Sequence, residues 1–337
     1  MGHDAQRVNQ WSPCARPWIL LFVSFFVSNS ALPITNQMNQ NPISPAEVAA
    51  NYLRSFRAGD EFMAPSGGLV VSGAPDPQAL TLLQNALLED TAEVRSEVVD
   101  LLADVGAECA DPDNRGLGAI KDARVIGILF TAGMDKPDQA REEAMLVLRT
   151  MCRRSDLAPW SGELVRMVEE RPTKDGLLLV AKGKADKARP LLEHLAQLPA
   201  WQEDRALLIA QGALGDTAVI TRYLDELRVA VACADPERYN QAVDALAKIG
   251  DPVTLKAVAE QLRTPWIDEV PRVSGKSMRL VVLEALAYAF PDELVVYPSN
   301  IIKDADYIAA ENFCIRQLGA HYTDARPPFL TYMAFPR

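Results

Sequence analysis

The strongest constraint on the fold is a repeat in the C-terminal half of the chain. Two stretches, Leu214–Arg228 and Ile249–Arg263, align at an offset of 35 residues and share Gly, Asp, Leu and Arg in register. In each copy a glycine can end one helix in the left-handed conformation, and the following aspartate can cap the next helix. The second copy adds Pro252, which suits the first turn of a helix. The repeat therefore predicts pairs of helices joined by short Gly-Asp turns.

A second periodic pattern covers the helices that precede such turns. Residues three, six and ten positions after a common starting point are apolar or small in every copy, except for Lys184 in the third. This spacing is one face of a helix. Lys184 indicates either a degenerate third unit or a shifted register there. The starting points are Arg95, Arg141, Lys174, Asp204, Tyr239 and Arg279.

An apolar periodic segment precedes each of these second helices and predicts the first helix of each pair. The first helices are predicted near 78–89, 119–132, 161–170, 187–198, 217–229 and 252–263. Two helices in each unit of 30–46 residues predict an all-α protein, an α-solenoid of about six helical pairs. The landmark residues of TPR and ankyrin repeats are absent from the sequence.

Two segments and two junctions carry a resemblance to a known family. Val94–Gly106 and Ala140–Leu148 resemble the second helix of a HEAT repeat. The Leu-Gly-Asp and Ile-Gly-Asp-Pro junctions are similar to those of the bacterial phycobilin-lyase-like HEAT repeats. The resemblance covers roughly residues 77–290 and implies a binding scaffold with a concave surface lined by the second helices. A tetrapyrrole-handling, lyase-like protein is the alternative that the resemblance implies.

The N-terminus has the pattern of a targeting segment. Trp18–Val27 is almost entirely apolar, follows a lead that contains Arg7 and Arg16, and precedes small residues up to Ser30. This order is typical of a secretory signal peptide, with cleavage after Ser30. A bilayer span needs about 20 apolar residues, more than this run provides. We therefore expect an exported protein, periplasmic or secreted, with no stable membrane span after cleavage; an uncleaved N-terminal anchor is the alternative.

Composition divides the rest of the chain. Ser44, Pro45 and Glu47 predict the start of a helix, and the Gly- and Pro-rich residues 58–76 predict a linker. A further helix near 303–319 is predicted to cap the array. The predicted parts are a signal peptide at 1–30, an N-terminal helix and linker at 31–76, a HEAT-like repeat array at 77–290, and a C-terminal capping helix and tail at 291–337.

Charge and composition exclude several classes of function. The net charge of -11 argues against a nucleic-acid partner, because binding to phosphates depends on Lys and Arg. With three histidines and no nucleophile elbow, phosphate loop or zinc motif, the sequence predicts no catalytic residues, no metal and no cofactor.

Export would make the cysteines relevant, because disulfides form in oxidising compartments. The four cysteines after the leader match no zinc or redox spacing. Cys233 and Cys314 lie in helix-like sequence and are predicted to be small buried hydrophobic residues. A bridge between Cys109 and Cys152, in neighbouring units, is left open.

The candidate binding residues are solvent-facing positions of the second helices. The first repeats present carboxylates, whereas Arg205–Leu214 is nearly all apolar. The functional interpretation is an acidic groove around an apolar floor, suited to a basic or amphipathic peptide; the structural interpretation is a solvated helix face. Trp266 joins the set because it lies in a long interhelical loop, Arg263–Gly275. The candidates are Glu97, Asp100, Asp104, Glu143, Asp244, Trp266, Glu284 and Tyr288.

Two other tryptophans lie at the edges of predicted helices. Trp160 and Trp201 are predicted to pack a helix start against the adjacent unit rather than to bind a partner. Taken together, the sequence predicts an exported acidic scaffold that binds a protein or peptide through its concave surface and has no catalytic activity of its own.

Overall fold

The computed structural model describes residues 43–59, 66–108, 119–264, 278–291, 293–294 and 304–322. The predicted signal peptide, Cys109 and Trp266 lie outside the described residues. Within those ranges the protein is all-α, because most of the described residues are helical. No helix in this part of the chain is long and apolar enough to cross a bilayer.

The amino-terminal elements contain one small hairpin among helices. They are α1 (Pro45–Ala58), a 3-10 turn (Ser66–Leu69), β1 (Val70–Val71), β2 (Ala74–Pro75), α2 (Pro77–Glu89), α3 (Ala92–Glu108), α4 (Ala123–Ile128), a π-helical turn (Leu129–Gly133) and α5 (Gln139–Met151).

The middle of the chain consists of shorter helices. They are α6 (Arg154–Leu157), a 3-10 turn (Ala158–Trp160), α7 (Ser161–Glu170), α8 (Lys174–Gly183), a 3-10 turn (Asp186–Ala188), α9 (Arg189–Ala196) and α10 (Arg205–Ala213).

The carboxyl-terminal elements include the repeat from which the helical pairs were predicted. They are α11 (Thr217–Cys233), α12 (Pro236–Ile249), α13 (Pro252–Glu260), a 3-10 turn (Gln261–Arg263), α14 (Met278–Ala289) and α15 (Asp304–Leu318).

The Gly-Asp junctions have the geometry that the sequence predicts. Gly215 and Gly250 adopt positive φ angles of 96° and 64°, and Gly250 is the left-handed cap of α12. The carboxylate of Asp216 accepts hydrogen bonds from two backbone N–H groups of α11. Asp251 accepts one from α13 at 2.9 Å. Each such cap is worth about 1 kcal/mol, so the short junctions are stable without longer loops.

The second helices of the pairs pack on one another in chain order. Helix α3 contacts α5, and the contacts continue through α8, α10 and α12 to α14. The first helices, α2, α4 with its π-helical turn, α7, α9, α11 and α13, each pack against the second helix of their own pair. Helix α8 also contacts α12, although α10 lies between them in this order.

Most of the predicted apolar column forms the core between these helices. The residue three positions after each starting point is buried in every copy, with at most 2% exposure. These residues are Val98, Ala144, Leu177, Leu207, Ala242 and Val282.

Lys184 breaks the column because α8 is short. The helix ends at Gly183, and Lys184 is its left-handed cap with φ 47°. The polar residue therefore lies just beyond the helix, and the predicted register of the third unit needs no shift.

Both ends of the described chain pack onto the array. Helix α1 contacts α2 and α3, and part of the predicted linker forms the hairpin, with Ser72 and Gly73 at positive φ in its turn. Helix α15 contacts α13. The hydroxyl of Tyr322 donates to the carbonyl of Ala259 at 3.1 Å, so the segment after α15 is also attached to α13.

The cysteines follow the prediction only in part. Cys314 is buried as predicted, whereas the prediction of a buried Cys233 is wrong. Cys233 is the last residue of α11 and adjoins the exposed, left-handed Ala234, so no neighbouring helix covers it. Cys152 is buried and is a free thiol.

Candidate functional site

Four of the candidate carboxylates come together on two neighbouring helices. Glu97, Asp100 and Asp104 occupy positions i, i+3 and i+7 of α3, which lie on one helix face. Helix α5 packs against α3 and carries Glu143. The three side chains on α3 are exposed and Glu143 is half-buried. We call these four residues the acidic face.

The negative charge of Asp100, at the centre of the acidic face, is destabilised by its surroundings. The pKa of Asp100 is raised from 3.8 to about 7, first by desolvation and then by the charges of Glu143, Glu97 and Asp104. Solvent reaches the Asp100 side chain, but the surrounding protein displaces enough water to destabilise its charge. Like charges that share a site oppose ionisation of the central group. A cation placed here would favour the ionised form.

Glu143 is held in place by two neighbours. The hydroxyl of Ser96, on α3, donates to Oε2 of Glu143. The side-chain amide of Gln139, one turn earlier on α5, donates to Oε1 at 2.7 Å. The carboxylate therefore spans the contact between the two helices, and its position relative to the α3 carboxylates is fixed.

A buried ion pair sets the alignment of α3 and α5. The carboxylate of Asp138 caps α5 by accepting from the backbone N–H of Arg141 at 3.2 Å. Its other oxygen lies 2.8 Å from Nε of Arg95, a residue of α3 with no exposed surface. Separating α3 from α5 would leave the buried guanidinium of Arg95 without this carboxylate. The pair therefore favours the packing of the two helices that bring the four carboxylates together.

An exposed apolar residue adjoins the acidic face. Leu146 is one turn after Glu143 on α5 and keeps 44% of its surface exposed. Leucine is exposed here although the helix buries Met145, Val147 and Leu148 on its other side. The surface therefore offers carboxylates and one apolar contact to the same ligand.

Asp244, Glu284 and Tyr288 lie on later helices, and Trp266 lies outside the described residues. Asp244 on α12 pairs with Arg205 of α10 at 2.8 Å and with Lys248 at 2.7 Å. Tyr288 on α14 is half-buried, and its ring lies 4.1 Å from the ammonium nitrogen of Lys182. Glu284, also on α14, is half-buried. The structure thus groups four of the eight candidates and places three others on α12 and α14.

The sequence pattern missed the basic residues along the second helices. Nη1 of Arg149, on α5, lies 2.6 Å from Oδ1 of Asp175 at the start of α8. Arg205 begins α10 and reaches Asp244 on the next second helix. These pairs join residues far apart in the chain, and no local spacing marks them.

A shallow groove lies between α2 and α4. Its volume is about 420 Å³, and it ends at Trp160. The indole of Trp160 stacks on Phe130 with ring centroids 4.8 Å apart, which confirms the predicted packing of this tryptophan against the preceding unit. Trp201 is half-buried and packs against the core. Both tryptophans therefore stabilise contacts between elements.

The described residues contain no cluster of three or more His, Cys, Asp or Glu side chains that could hold a metal ion. No protein-family model, no curated protein and no solved structure matches the chain.

Proposed function

We propose that the protein is an exported, HEAT-like α-solenoid that binds a basic, amphipathic protein segment on its acidic face. One observation carries the proposal. Carboxylates from two successive second helices, α3 and α5, share one surface with an exposed leucine, Leu146.

The order of helix contacts supports the solenoid. Each second helix packs on the next, and each first helix packs on its own partner. Arrays of this kind bury each unit only against its neighbours and leave one extended face of second helices. The HEAT-like helix Val94–Gly106 forms most of α3, which carries three residues of the acidic face.

Charge supports a basic partner. Binding of a lysine or arginine near Asp100 would relieve the repulsion among four carboxylates. The net charge of -11 would also attract a cationic segment over a distance of about one Debye length. Leu146 offers an exposed apolar contact for the apolar side chains of an amphipathic partner.

A fluorescence anisotropy titration tests this function. The probe is a labelled amphipathic peptide of Lys and Leu, and its counterpart carries Glu in place of Lys. The full chain should bind the cationic peptide, with an affinity that falls as salt is added, and should not bind the anionic one. Combining Glu97→Lys, Asp100→Lys and Glu143→Lys should weaken binding at least about tenfold, because close charge pairs across an interface are worth several kcal/mol.

The matched control moves the same charge change to another surface. Glu163→Lys, Glu169→Lys and Glu193→Lys alter exposed carboxylates on α7 and α9. The control protein should bind within about twofold of the unaltered chain, because these side chains lie on other helices and salt screens charges that are distant from the bound peptide. Equal weakening in both proteins, with helicity unchanged in both, would show that net charge alone drives binding and would reject the site.

Export rests on the N-terminal pattern and has its own test. Fractionation of the source cells should place the chain in the exported fraction, with mass spectrometry detecting an N-terminus at Ala31. A cytosolic chain that retains Met1 would reject export without affecting the binding proposal.

A further inference from the structure

The carboxyl ends of three second helices meet at one place. Helix α8 ends at Gly183, α12 at Ile249 and α14 at Ala289. The last carbonyl groups of a helix have no partners within it, and they carry negative partial charge. Two basic side chains, Arg154 and Lys182, contact carbonyl oxygens from all three ends.

Arg154 connects two helices that are not neighbours in the packing order. It begins the short α6. Its Nε donates to the carbonyl of Lys182 near the end of α8 at 3.1 Å. Nη1 donates to the carbonyl of Gly250 at 2.8 Å, and Nη2 donates to that of Ile249 at 3.3 Å. One planar guanidinium thus holds the ends of α8 and α12, on either side of α10.

The fit of Arg154 against α12 is close. A Cβ atom added at Gly250 would lie 3.2 Å from the guanidinium carbon of Arg154. Gly250 has a φ of 64°, which glycine adopts without the cost that other residues incur. A side chain at residue 250 would displace the guanidinium of Arg154. Glycine at this position therefore allows Arg154 to reach the carbonyls at the end of α12.

Lys182 adds the third helix. Its side chain is 2% exposed, and Nζ donates to the backbone carbonyl of Tyr288 near the end of α14. The same ammonium lies 4.1 Å from the centre of the Tyr288 ring, within the range of a cation–π contact. The buried ammonium of Lys182 therefore contacts one carbonyl oxygen and one aromatic face, both of Tyr288.

We propose that Arg154 and Lys182 form a clasp that fixes how far the array turns between α8 and α14. Arg154 joins α8 to α12, and Lys182 joins α8 to α14. The array cannot straighten over these units without breaking these hydrogen bonds, and the bonds from the Arg154 guanidinium are charge-assisted, which makes them among the stronger ones in proteins. The clasp opens and closes as one unit, and its opening changes the angle between helical pairs while each pair stays intact.

Native-state hydrogen exchange of the unaltered full chain tests this unit directly. In low concentrations of urea, the amides in the last turns of α8, α12 and α14 should open together, with one opening free energy and one urea dependence. Separate openings at the three helix ends would overturn the proposal. This measurement needs no variant, so it does not depend on a variant folding.

A pair of variants tests the coupling across the clasp. Arg154→Met removes hydrogen bonds only to α8 and α12, yet exchange at the end of α14 should also become about tenfold faster or more. Lys182→Met removes the bond to α14 and should likewise speed exchange at the end of α12. Unchanged exchange at the helix that the altered residue does not touch would overturn the proposal.

The control variant is Arg166→Met on α7. Arg166 is exposed and lies 3.7 Å from Glu170 one turn away, so its loss should leave exchange at all three helix ends within about twofold of the unaltered chain. Small-angle X-ray scattering adds a second readout. The clasp variants should show a larger radius of gyration at unchanged helicity, and an unchanged radius would count against a role in setting the turn.

Discussion

Asp100 and Lys182 both have pKa values near 7, for related reasons and with opposite consequences. Desolvation and three nearby carboxylates raise the pKa of Asp100 to about 7. Burial, followed by the charge of Arg154, lowers the pKa of Lys182 to about 7. In both cases the folded protein disfavours the charged form. Asp100 lies on the acidic face and Lys182 lies in the clasp. The pH dependence of each residue therefore tests the environment proposed for that site.

Asp100→Asn should stabilise the protein at alkaline pH. The folded chain holds this proton up to about pH 7, whereas the unfolded chain releases it near pH 3.8, so stability is lost as pH rises through this window. Because the side chain is exposed, solvent screening limits the gain to about 1 kcal/mol at pH 8. Urea denaturation should show that gain at about pH 8 and none at about pH 4. A gain of the same size at both values would contradict the electrostatic cause.

Lys182→Met should change the pH dependence of stability at alkaline pH, between about pH 7 and pH 10.5. The unfolded lysine keeps its proton up to about pH 10.5 and the folded one only up to about pH 7, so stability rises with pH across this window. The variant lacks this rise. Relative to the variant, the unaltered chain should gain about 2–3 kcal/mol of unfolding free energy between about pH 7 and pH 10. Parallel pH profiles for the two proteins in urea denaturation would show that Lys182 is not held in a desolvated site.

At the scale of elements, close packing of the second helices depends on small residues. A Cβ atom at Gly212, in α10, would lie 3.0 Å from Cδ1 of Ile249 and 3.2 Å from Cγ1 of Val219. Ile249 is fully buried and Val219 is 7% exposed, so neither has free space to move into. The glycine lets α10 approach both α11 and α12.

Gly212→Ala should therefore destabilise the protein. Overpacking costs about 1–3 kcal/mol and exceeds the gain of about 1 kcal/mol from better helix propensity. Gly162→Ala in α7 is the control, because a Cβ atom there would meet nothing within 4 Å, and it should stabilise by about 0.5 kcal/mol. Thermal unfolding distinguishes the two. Stabilisation by both changes would show that the packing of α10 against Val219 and Ile249 leaves room for a methyl group.

The sequence predicts the elements well where local patterns determine them. Glycine followed by aspartate marks both junctions because left-handed geometry and helix capping depend only on neighbouring residues. The apolar column identifies the buried face of each second helix for the same reason. Lys184 shows the limit of that pattern, because the column continues past the end of α8 while the helix does not.

Contacts between distant residues could not be predicted in this way. Arg154 and Gly250 meet across 96 residues, and the Lys182 contact with Tyr288 spans 106. The prediction of a buried Cys233 is wrong because its apolar neighbours indicate a helix but do not show that the helix ends there. The acidic face was predicted in part, since the i, i+3, i+7 spacing on α3 is local, whereas the place of Glu143 beside it depends on helix packing.

At the scale of the whole molecule, ion pairs join successive second helices. Arg95 of α3 pairs with Asp138 at the start of α5, and Arg149 of α5 pairs with Asp175 of α8. Arg205 continues the series from α10 to α12. The carboxylates of the acidic face lie near one another around Asp100, at the amino-terminal end of the array, and add to desolvation in raising its pKa. Their repulsion favours a cationic partner at α3 and α5.

Proton release on binding is the most direct test of that surface. Isothermal titration calorimetry of the cationic Lys-Leu peptide, in two buffers of different ionisation enthalpy, measures the protons released as the complex forms. A cation beside Asp100 lowers its raised pKa, so the unaltered chain should release about half a proton at pH 7. Asp100→Asn should bind the peptide with almost no release. Binding without proton release, or the same release from the Asp100→Asn protein, would contradict a partner site on the acidic face.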